Sequence, residues 1–292
     1  MEKRALIVGS GGQLGVELVR EFTQRGYQVA GFQRSELDIT DAARVEHTVA
    51  SFDPAVVLNA AAYNQVDLAE QEPQAAFLAN SLAVRNLAMA CRQNDALLVH
   101  FSTDYVFDGA KGAPYTESDP THPLGAYAVS KLAGELYAQA YLDKVIIIRT
   151  SGVFGPGGLR TARGNFIELM LRLAKENQVI RVVEDHVASP TYAPVLAARS
   201  ADLVERGVRG LFHIGGGTPI SWYDYAGLIF RLAGLKPELR ATNEREYRTA
   251  ARRPKYSALS NRLIESLGLE PFPPLEVAVR SYLQLRQRYV SS

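Results

Sequence analysis

Short apolar runs alternate with amphipathic stretches along the first half of the chain, and this alternation restricts the possible folds more than any other feature. The series begins with ALIVG, LGVELVREFTQRG, YQVAGF, ARVEHTVASF and AVVLNA, and continues to VIIIRTSGVFG. Strands that alternate with helices form βαβ units with right-handed crossovers, and such units build a parallel sheet that helices cover on both faces. The pattern therefore predicts an α/β fold with a doubly wound parallel sheet of the Rossmann type.

The alternation loosens after residue 151, where a glycine-rich stretch, GPGGLRTARGN, precedes shorter helices and strands. We expect a dinucleotide-binding Rossmann domain over residues 1–151 and a smaller C-terminal α/β substrate lobe over residues 152–292. The second part is predicted to bind mainly substrate, with some of its segments returning to the first domain. The glycine-rich stretch is either a mobile lid or a solvent loop.

Charge and composition indicate a small partner rather than a polymer or a membrane. The 292 residues include 32 lysines and arginines against 31 aspartates and glutamates. This balance gives no electrostatic reason to expect a nucleic acid or a membrane surface as partner. The one cysteine cannot form a disulfide or a thiolate cluster within the chain. Without a signal-peptide pattern or an apolar run of about 18 residues, the sequence predicts a cytoplasmic protein.

A glycine-rich turn, VGSGGQLG, joins the first predicted strand to the first predicted helix. Gly9, Gly12 and Gly15 permit a tight turn, a close backbone approach to a pyrophosphate and close packing of the helix on the strand. Gln13 and Leu14 lie between them at the start of the helix, so all five residues are predicted to bind a dinucleotide. The GxxGxxG spacing resembles that of the extended branch of the short-chain dehydrogenase/reductase superfamily.

The end of the second predicted strand indicates which dinucleotide is bound. An acidic residue there usually holds the ribose hydroxyls of NAD, but FQRSELD has Gln33 and Arg34 at this place. A guanidinium can bind a 2′-phosphate through two parallel hydrogen bonds. NADPH is therefore the predicted cofactor, with NADH as the alternative.

Five further residues are assigned to the cofactor site. Asp38 and Ile39 match the position at which members of the superfamily touch the adenine. Ala60, Ala61 and Ala62 in the NAAA stretch give the backbone room beside the cofactor, although close packing alone also explains small residues there.

Tyr127 and Lys131 are four residues apart on a predicted helix, so both side chains project from one face. A free tyrosine has a pKa of about 10, and a neighbouring ammonium and a cationic nicotinamide both lower that value. Tyr127 can then exchange a proton near neutral pH. Thr103 ends a strand at the carboxyl edge of the predicted sheet, where it can hydrogen-bond a substrate carbonyl, and Ser102 could share that role.

Ordered matches along nearly the whole chain resemble the dTDP-4-dehydrorhamnose reductase family. They include VGSGGQLG, ELDITD, VVLNAAAYNQVDLAEQEP, STDYVFDG, PLGAYAVSKLAGE, IIIRTSGVFG, NFIELMLRLAKE, ASPTYA and ARRPKYSAL. The resemblance implies reduction of a nucleotide-linked 4-keto-6-deoxy sugar by hydride transfer to C4, which gives dTDP-L-rhamnose. It also implies that Thr103, Tyr127 and Lys131 form the catalytic set, with Tyr127 as general acid.

The residues expected to contact the substrate come from two stretches. Asp104, Tyr105 and Phe107 in STDYVFDG are expected near the sugar, and the resemblance implies that Asp104 holds it. Arg253 in the RRP stretch is implied to help bind the substrate diphosphate.

Residue 152 departs from the family pattern. The family typically has a tryptophan after the serine of RTS, and its ring stacks on the substrate, whereas this chain has Gly152. An aromatic stack contributes about 0.5–1.5 kcal/mol beyond area burial. Phe154 could compensate from the same loop, or the substrate could be a different nucleotide-linked 4-keto sugar. The only tryptophan, Trp222, is expected to cap or pack a helix of the second lobe.

The sequence predicts no metal site. The five histidines are isolated, none has a histidine four residues away, and only His186 is expected close to the substrate. Some relatives bind magnesium between subunits through acidic residues near the C-terminus, but LEVAVRSYLQLRQRYVSS offers no clear acidic cluster.

Two other functions stay open from the sequence. An NDP-sugar 4,6-dehydratase or 4-epimerase shares the tyrosine and lysine but keeps NAD tightly bound, and Arg34 argues against it. A non-catalytic subunit resembling the regulatory subunit of methionine adenosyltransferase has the same scaffold, and an intact Tyr127 and Lys131 argue against that function. The predicted partner is a nucleotide-sugar substrate, and a homodimer is the assembly that the sequence leaves open.

Overall fold

The computed structural model describes residues 3–161, 164–176 and 179–290. Its strands are β1 Arg4–Val8, β2 Gln28–Phe32, β3 Val56–Asn59, β4 Leu97–Thr103, β5 Val145–Thr150, β6 Ile180–Val183, β7 Val187–Ala188, β8 Gly210–His213, β9 Ile220–Ser221 and β10 Leu239–Thr242. Six of them form the main sheet, in the order β2-β1-β3-β4-β5-β8, and every pair is parallel. This arrangement confirms the predicted Rossmann-type α/β fold.

Helices cover both faces of the main sheet. The α-helices are α1 Gln13–Gln24, α2 Ala42–Phe52, α3 Pro73–Phe77, α4 Ala83–Gln93, α5 Ala126–Tyr141, α6 Phe166–Lys175, α7 Ala193–Glu205, α8 Trp222–Ala233, α9 Arg262–Ser266 and α10 Leu275–Val290. Alternate residues of β1 enter different apolar clusters: Ala5 and Ile7 pack with α1 and α7, whereas Leu6 and Val8 pack with α2 and α4. Because both faces are buried, the strands are continuous apolar runs.

The strand order reverses beside β1, since β2 lies on one side of it and β3 on the other. Doubly wound folds bind ligands outside the carboxyl ends of the strands at such a reversal. Gly9 directly follows β1 and Ala60 directly follows β3, so both lie at this point. The topology therefore places the predicted cofactor residues on the edge of the sheet that can bind a ligand.

A π-helical turn at Leu78–Leu82 lies between α3 and α4. The side chain of Asn80 lies in this turn, accepts the Tyr63 N–H at 2.8 Å and donates to the Tyr63 carbonyl at 2.9 Å. Gly134 of α5 allows the close approach, because a Cβ there would lie 2.1 Å from the Asn80 carbonyl oxygen. The π turn thus fixes the backbone of Tyr63 beside the strand-order reversal.

A third apolar cluster lies among α6, α8 and α10 and includes Phe154, Tyr225 and Tyr282. Two small sheets accompany it, in which β6 pairs parallel to β10 and β7 pairs antiparallel to β9. By contrast, β8 pairs with β5 in the main sheet, and α7 packs against α1. The chain therefore passes between the two groups of elements more than once.

Part of the glycine-rich stretch that follows β5 forms a short 3₁₀ helix at Pro156–Arg160. Residues 162 and 163, which belong to the stretch predicted as a lid or a solvent loop, lie outside the described residues. The same holds for residues 177 and 178, at the ends of a predicted helix and a predicted strand. Among the helices of the described part, none is long and apolar enough to cross a membrane.

Candidate active site

A cleft of about 630 Å³ opens at the strand-order reversal. The predicted cofactor residues that line it are Gly9, Gly12, Arg34, Asp38, Ile39, Ala60, Ala61 and Ala62. Sequence reasoning missed further lining residues, among them Gly11, Leu37, Thr40, Tyr63, Asn64, Gln65 and Glu72. The position of three of these residues in the sequence could have indicated them, because Tyr63, Asn64 and Gln65 come just after the third strand, at the carboxyl edge of the sheet.

Close backbone packing leaves the floor of this cleft without side chains. Gly9 has a φ of +75°, and a Cβ there would lie 2.6 Å from the Ala61 nitrogen. A Cβ on Gly15 would lie 2.1 Å from the Gly9 carbonyl oxygen, so only glycine fits at both places. The N-terminus of α1 therefore faces the cleft with its backbone exposed, which suits a diphosphate. Leu14 and Gly15 do not line the cleft, and Leu14 packs on the core instead.

Gln13, predicted to bind the cofactor, uses its side chain to hold the loop that follows β5. Its Nε2 donates to the Val153 carbonyl at 2.6 Å. Its Oε1 accepts the Gly155 N–H at 3.2 Å and Nδ2 of Asn165 at 2.9 Å. Both ends of the amide are occupied within the protein, and Gln13 is not among the residues that line the cleft, so its binding of the cofactor stays a prediction.

Arg34 lies at the rim of the cleft with 87% of its side chain exposed. Its Nε is 3.6 Å from a carboxylate oxygen of Asp38, a distance and exposure at which an ion pair is weak. The N–H and hydroxyl of Thr40 donate to Asp38, and these hydrogen bonds lower the pKa of that carboxyl. The guanidinium therefore stays available for an anionic ligand in the cleft.

The start of α5 is fixed by a carboxylate from another segment. The Ala126 N–H donates to Oε1 of Glu70 at 2.7 Å. Gly125 makes room for that carboxylate, because a Cβ would lie 2.5 Å from it. Tyr127 thus lies in the first turn of α5, half-buried, and its ring meets the ring of Tyr105 edge to face with 6.1 Å between centroids.

Lys131 lies one turn further along α5 and is only 3% exposed. Its Nζ donates to the carbonyl of Phe101 in β4 at 2.6 Å. Burial lowers the pKa of Lys131 to about 8, and the carboxylate of Glu135 opposes that shift. This hydrogen bond and the Tyr105 ring contact place the Tyr127 and Lys131 face of α5 over the carboxyl end of β4.

We expect activity to decline as the pH rises through about 8, because Lys131 then loses the positive charge that stabilises a phenolate on Tyr127. The measurement is the pH profile of kcat/KM, which reports groups of the free enzyme. In Glu135→Gln the carboxylate that raises the pKa of Lys131 is gone, so the alkaline limb should move to lower pH. An alkaline limb that stays in place in this variant would contradict the assignment to Lys131.

A buried ion pair lies beneath Lys131. Glu135 and Arg149 are 3% and 4% exposed, and Nη2 of Arg149 donates to Oε2 of Glu135 at 2.7 Å, while Nε donates to Oε1 at 3.0 Å. The hydroxyl of Ser102 also donates to Glu135. Ser102 was expected to share the role of Thr103, but its hydroxyl is occupied inside the protein. That expectation is corrected to a structural role.

Asp104 does not offer its carboxylate to a ligand, contrary to the expectation that it holds the sugar. It is 3% exposed and accepts hydroxyl hydrogen bonds from Thr103 at 3.1 Å, from Ser151 at 2.7 Å and from Ser257. Burial raises its pKa to about 6, although these three hydroxyls lower it. Thr103 also accepts the Tyr105 N–H at 3.2 Å, so its hydroxyl is held from both sides.

Phe107 was expected near the substrate, and this expectation is wrong. The side chain is fully buried and stacks on Tyr115 with 4.1 Å between ring centroids. Tyr105 differs from it, since its ring contacts that of Tyr127, and the positive charge of Arg253 opposes the rise that burial causes in the pKa of Tyr105. Arg253 in turn donates from both terminal nitrogens to Asp67, at 3.0 and 2.7 Å. Tyr105 and Arg253 are therefore brought together near Tyr127, whereas Phe107 supports the loop from below.

Gly152 is exposed just after β5 and has a φ of +50°. A Cβ there would lie 3.4 Å from Cη2 of Trp222, so the indole borders the empty side of this glycine. Trp222 is the first residue of α8 and its ring packs on that of Phe166, so it packs a helix as predicted. Phe154 does not compensate for the missing ring, because it is 1% exposed within the third apolar cluster.

His186 is buried, and burial lowers its pKa. Its carbonyl accepts the Trp222 N–H at 3.1 Å, which puts it next to the residues around Gly152. No group of three or more histidine, cysteine, aspartate or glutamate side chains in the described ranges could hold a metal ion.

A Tyr-x-x-x-Lys helix over the end of β4, together with a glycine-floored cleft at the strand-order reversal on the same edge of the sheet, defines the class of this protein: it is an oxidoreductase of the short-chain dehydrogenase/reductase type. The family described as the RmlD substrate binding domain matches residues 3–288, and the chain belongs to that family.

Similar proteins of known name span nearly the whole chain. The spore coat polysaccharide biosynthesis protein SpsK of Bacillus subtilis is 38% identical, with 97% of this chain and 98% of that protein covered. The dTDP-4-dehydrorhamnose reductase of Aggregatibacter actinomycetemcomitans is 38% identical, with 92% and 94% covered. The crystal structure of dTDP-4-dehydrorhamnose reductase from Bacillus anthracis in complex with NADP has a TM-score of 0.92 at 34% identity, with 97% and 99% covered.

Proposed function

We propose that the chain reduces the C4 ketone of dTDP-4-dehydrorhamnose to the alcohol of dTDP-L-rhamnose, with NADPH as the reductant. The observation that carries the proposal is the position of Tyr127 and Lys131 over the end of β4, beside Thr103, in a chain of this family. Similar proteins that are dTDP-4-dehydrorhamnose reductases, one of them crystallised with NADP, support the substrate and the cofactor.

The cleft residues fit a dinucleotide, because Gly9 and Gly12 line the cleft without side chains, and Gly9 has no room for a Cβ. When bound there, NADPH supplies the hydride that C4 receives. Tyr127 donates its phenolic proton to the ketone oxygen, so the carbonyl gains one hydride and one proton and becomes a secondary alcohol. Lys131 stabilises the phenolate left on Tyr127, which regains its proton from solvent.

Thr103 is the proposed second donor to the ketone oxygen. Its hydroxyl proton is directed to Asp104 in the structure and must turn to the substrate. Asp104 tolerates this loss, because Ser151 and Ser257 continue to donate to it. In this proposal Asp104 orients Thr103 and does not touch the sugar.

The nucleotide-sugar is proposed to lie between the Tyr127 face of α5 and the second group of elements, which contains α6, α8 and α10. Arg253 would bind the diphosphate, which means that Asp67 and the phosphates share one guanidinium. Apolar side chains of α5 that face solvent, Val129 at 47% and Leu136 at 59%, support the proposed homodimer. A cytoplasmic location completes the proposal, since NADPH and nucleotide sugars are cytoplasmic reactants.

Replacing Arg34 with alanine should weaken the preference for NADPH. A lost hydrogen-bonded contact between an exposed guanidinium and the 2′-phosphate should raise KM for NADPH by about tenfold. The KM for NADH, which lacks that phosphate, should change little. The control is Arg92→Ala, because Arg92 is exposed at the C-terminal end of α4, on the opposite edge of the sheet. Equal changes for both cofactors in Arg34→Ala would contradict the assigned contact.

The activity itself is tested by following oxidation of NADPH with enzymatically generated dTDP-4-dehydrorhamnose and identifying the product. Consumption that matches formation of dTDP-L-rhamnose is the expected result. If NADPH binds and the nucleotide-sugar binds but no dTDP-L-rhamnose forms, the proposed reaction is wrong.

A further inference from the structure

The exposed backbone at Gly152 lies next to the catalytic end of β4. β5 runs beside β4 with Thr150 opposite Thr103, and Ser151 donates its hydroxyl to Asp104 at 2.7 Å. The next residue, Gly152, is exposed and has no side chain to cover its surroundings. A substrate bound over the carboxyl ends of β4 and β5 would therefore contact the residues around Gly152 directly.

Trp222 is the aromatic neighbour at this place. A Cβ on residue 152 would sit between Cα of Pro190, at 3.3 Å, and Cη2 of Trp222, at 3.4 Å. The Pro190 distance is shorter than an ordinary van der Waals contact and the φ of Gly152 is +50°, so a side chain at residue 152 would be strained and would cover Cη2 of the indole. Glycine at residue 152 leaves no side chain over Cη2 of the half-buried Trp222 on this side.

The indole of Trp222 is fixed in position, so it can form one rigid side of a binding site. The backbone N–H of Trp222 donates to the His186 carbonyl at 3.1 Å, and Ser221 caps α8 by accepting the Asp224 N–H at 3.0 Å, so the helix start that carries the indole is fixed. The ring packs edge to face on Phe166 with 4.7 Å between centroids. A fixed aromatic edge binds apolar surface without the loss of side-chain freedom that a flexible residue would incur.

We propose that Trp222 is a specificity-determining residue, and that the opening left by Gly152 lets its indole contact the apolar C5 and C6-methyl side of a nucleotide-linked 6-deoxy sugar. The proposal rests on the proposed function and deepens it. A 6-deoxy sugar presents a methyl group where an ordinary hexose has a hydroxymethyl group. A hydroxyl placed against this edge would lose its hydrogen bonds to water, so the indole favours deoxy sugars.

Fluorescence tests the contact directly, because Trp222 is the only tryptophan of the chain. The intact protein is titrated with dTDP-L-rhamnose and, in parallel, with dTDP, while binding of each is measured by calorimetry. We expect a saturable change of tryptophan emission with dTDP-L-rhamnose and little change with dTDP. An unchanged emission at saturating dTDP-L-rhamnose, or no binding of it, overturns the proposal.

Kinetics provide the second test. Trp222→Leu should raise KM for the nucleotide-sugar about tenfold while kcat and the KM for NADPH change less than about twofold. Trp222→Phe keeps the packing on Phe166 and should show a smaller rise, so it replaces the leucine variant if that one fails to fold. Tyr223→Leu, the adjacent residue of α8, is the matched control. A sugar KM unchanged in both Trp222 variants overturns the proposal.

The two proposals fail in distinguishable ways. If dTDP-L-rhamnose alters the emission of Trp222 but no dTDP-4-dehydrorhamnose is reduced, the contact stands and the proposed reaction falls. If the ketone is reduced, while dTDP-L-rhamnose leaves the emission of Trp222 unchanged and the Trp222 variants keep the parent KM for the nucleotide-sugar, the proposed reaction is supported and the proposed contact of Trp222 is wrong.

Discussion

Tyr127→Phe is expected to lower kcat by about 10²–10⁴-fold, because it removes the only proton that the side chain can give to the ketone oxygen. The ring remains, so its edge-to-face contact with Tyr105 and the start of α5 should be kept. Steady-state reduction of the 4-keto sugar measures the loss. Calorimetric titration with NADPH should show a Kd within about twofold of the parent value, which separates a chemical defect from a binding defect.

The same helix offers a matched control. Tyr137 lies further along α5 and contacts Tyr141 rather than any residue of the site. Tyr137→Phe removes the same hydroxyl group from the same helix and should leave kcat unchanged. Undiminished turnover in Tyr127→Phe, or an equal loss of turnover in Tyr137→Phe, would contradict the role of Tyr127 as general acid.

Glu135→Leu is expected to destabilise the fold by about 3–5 kcal/mol, because it leaves Arg149 charged and buried without a carboxylate, with only its weaker contacts to His213 and the Phe107 ring. Arg149 is 4% exposed, so water cannot replace the two oxygens that accept from its guanidinium. Ser102 would lose its acceptor at the same time. The free energy of unfolding from urea titrations, monitored by circular dichroism, measures the effect.

The double variant Glu135→Leu with Arg149→Met is the informative comparison. It replaces the ion pair by apolar groups, and such replacements are often nearly neutral. We expect it to recover most of the stability that the single variant loses. A Glu135→Leu protein as stable as the parent would show that Arg149 finds another partner, and it would refute the buried pair as a support of the site.

The elements were predictable from the sequence because their signals are local. Alternating apolar and amphipathic runs mark the strands and helices, and the glycine turn and the four-residue Tyr127 to Lys131 spacing each lie within one short stretch. The parallel sheet then follows from general rules for βαβ units. The residues that line the cofactor cleft after β1, β2 and β3 follow in the same way.

The direction of individual side chains at the edge of β4 was not predictable. Ser102, Thr103 and Asp104 are consecutive polar residues, yet Ser102 donates inward to Glu135 and Asp104 receives hydroxyls from two distant segments. Those partners are set by the packing of α5 and of the chain near Ser257. The spacing of these residues in the sequence does not indicate either contact.

The meeting of Gly152 and Trp222 was equally hidden. The pairing of β7 with β9, together with the hydrogen bond from the backbone N–H of Trp222 to the His186 carbonyl, brings Trp222 next to Gly152, which lies just after β5. The sequence shows that residue 152 is not aromatic, but it does not show that an aromatic residue from another stretch lies beside it in the folded chain.

The hydrogen bond from Ser257 to Asp104 has a consequence for biosynthesis. The end of β4 is completed by Ser257, which leaves the ribosome more than half a chain length after Asp104. Tyr115 and Leu259 form a β-bridge between the same two regions. Such distant pairings form slowly and late. A nascent or prematurely terminated chain that stops before Ser257 can build most of the parallel sheet yet has no finished active site, so reductase activity should report completed translation.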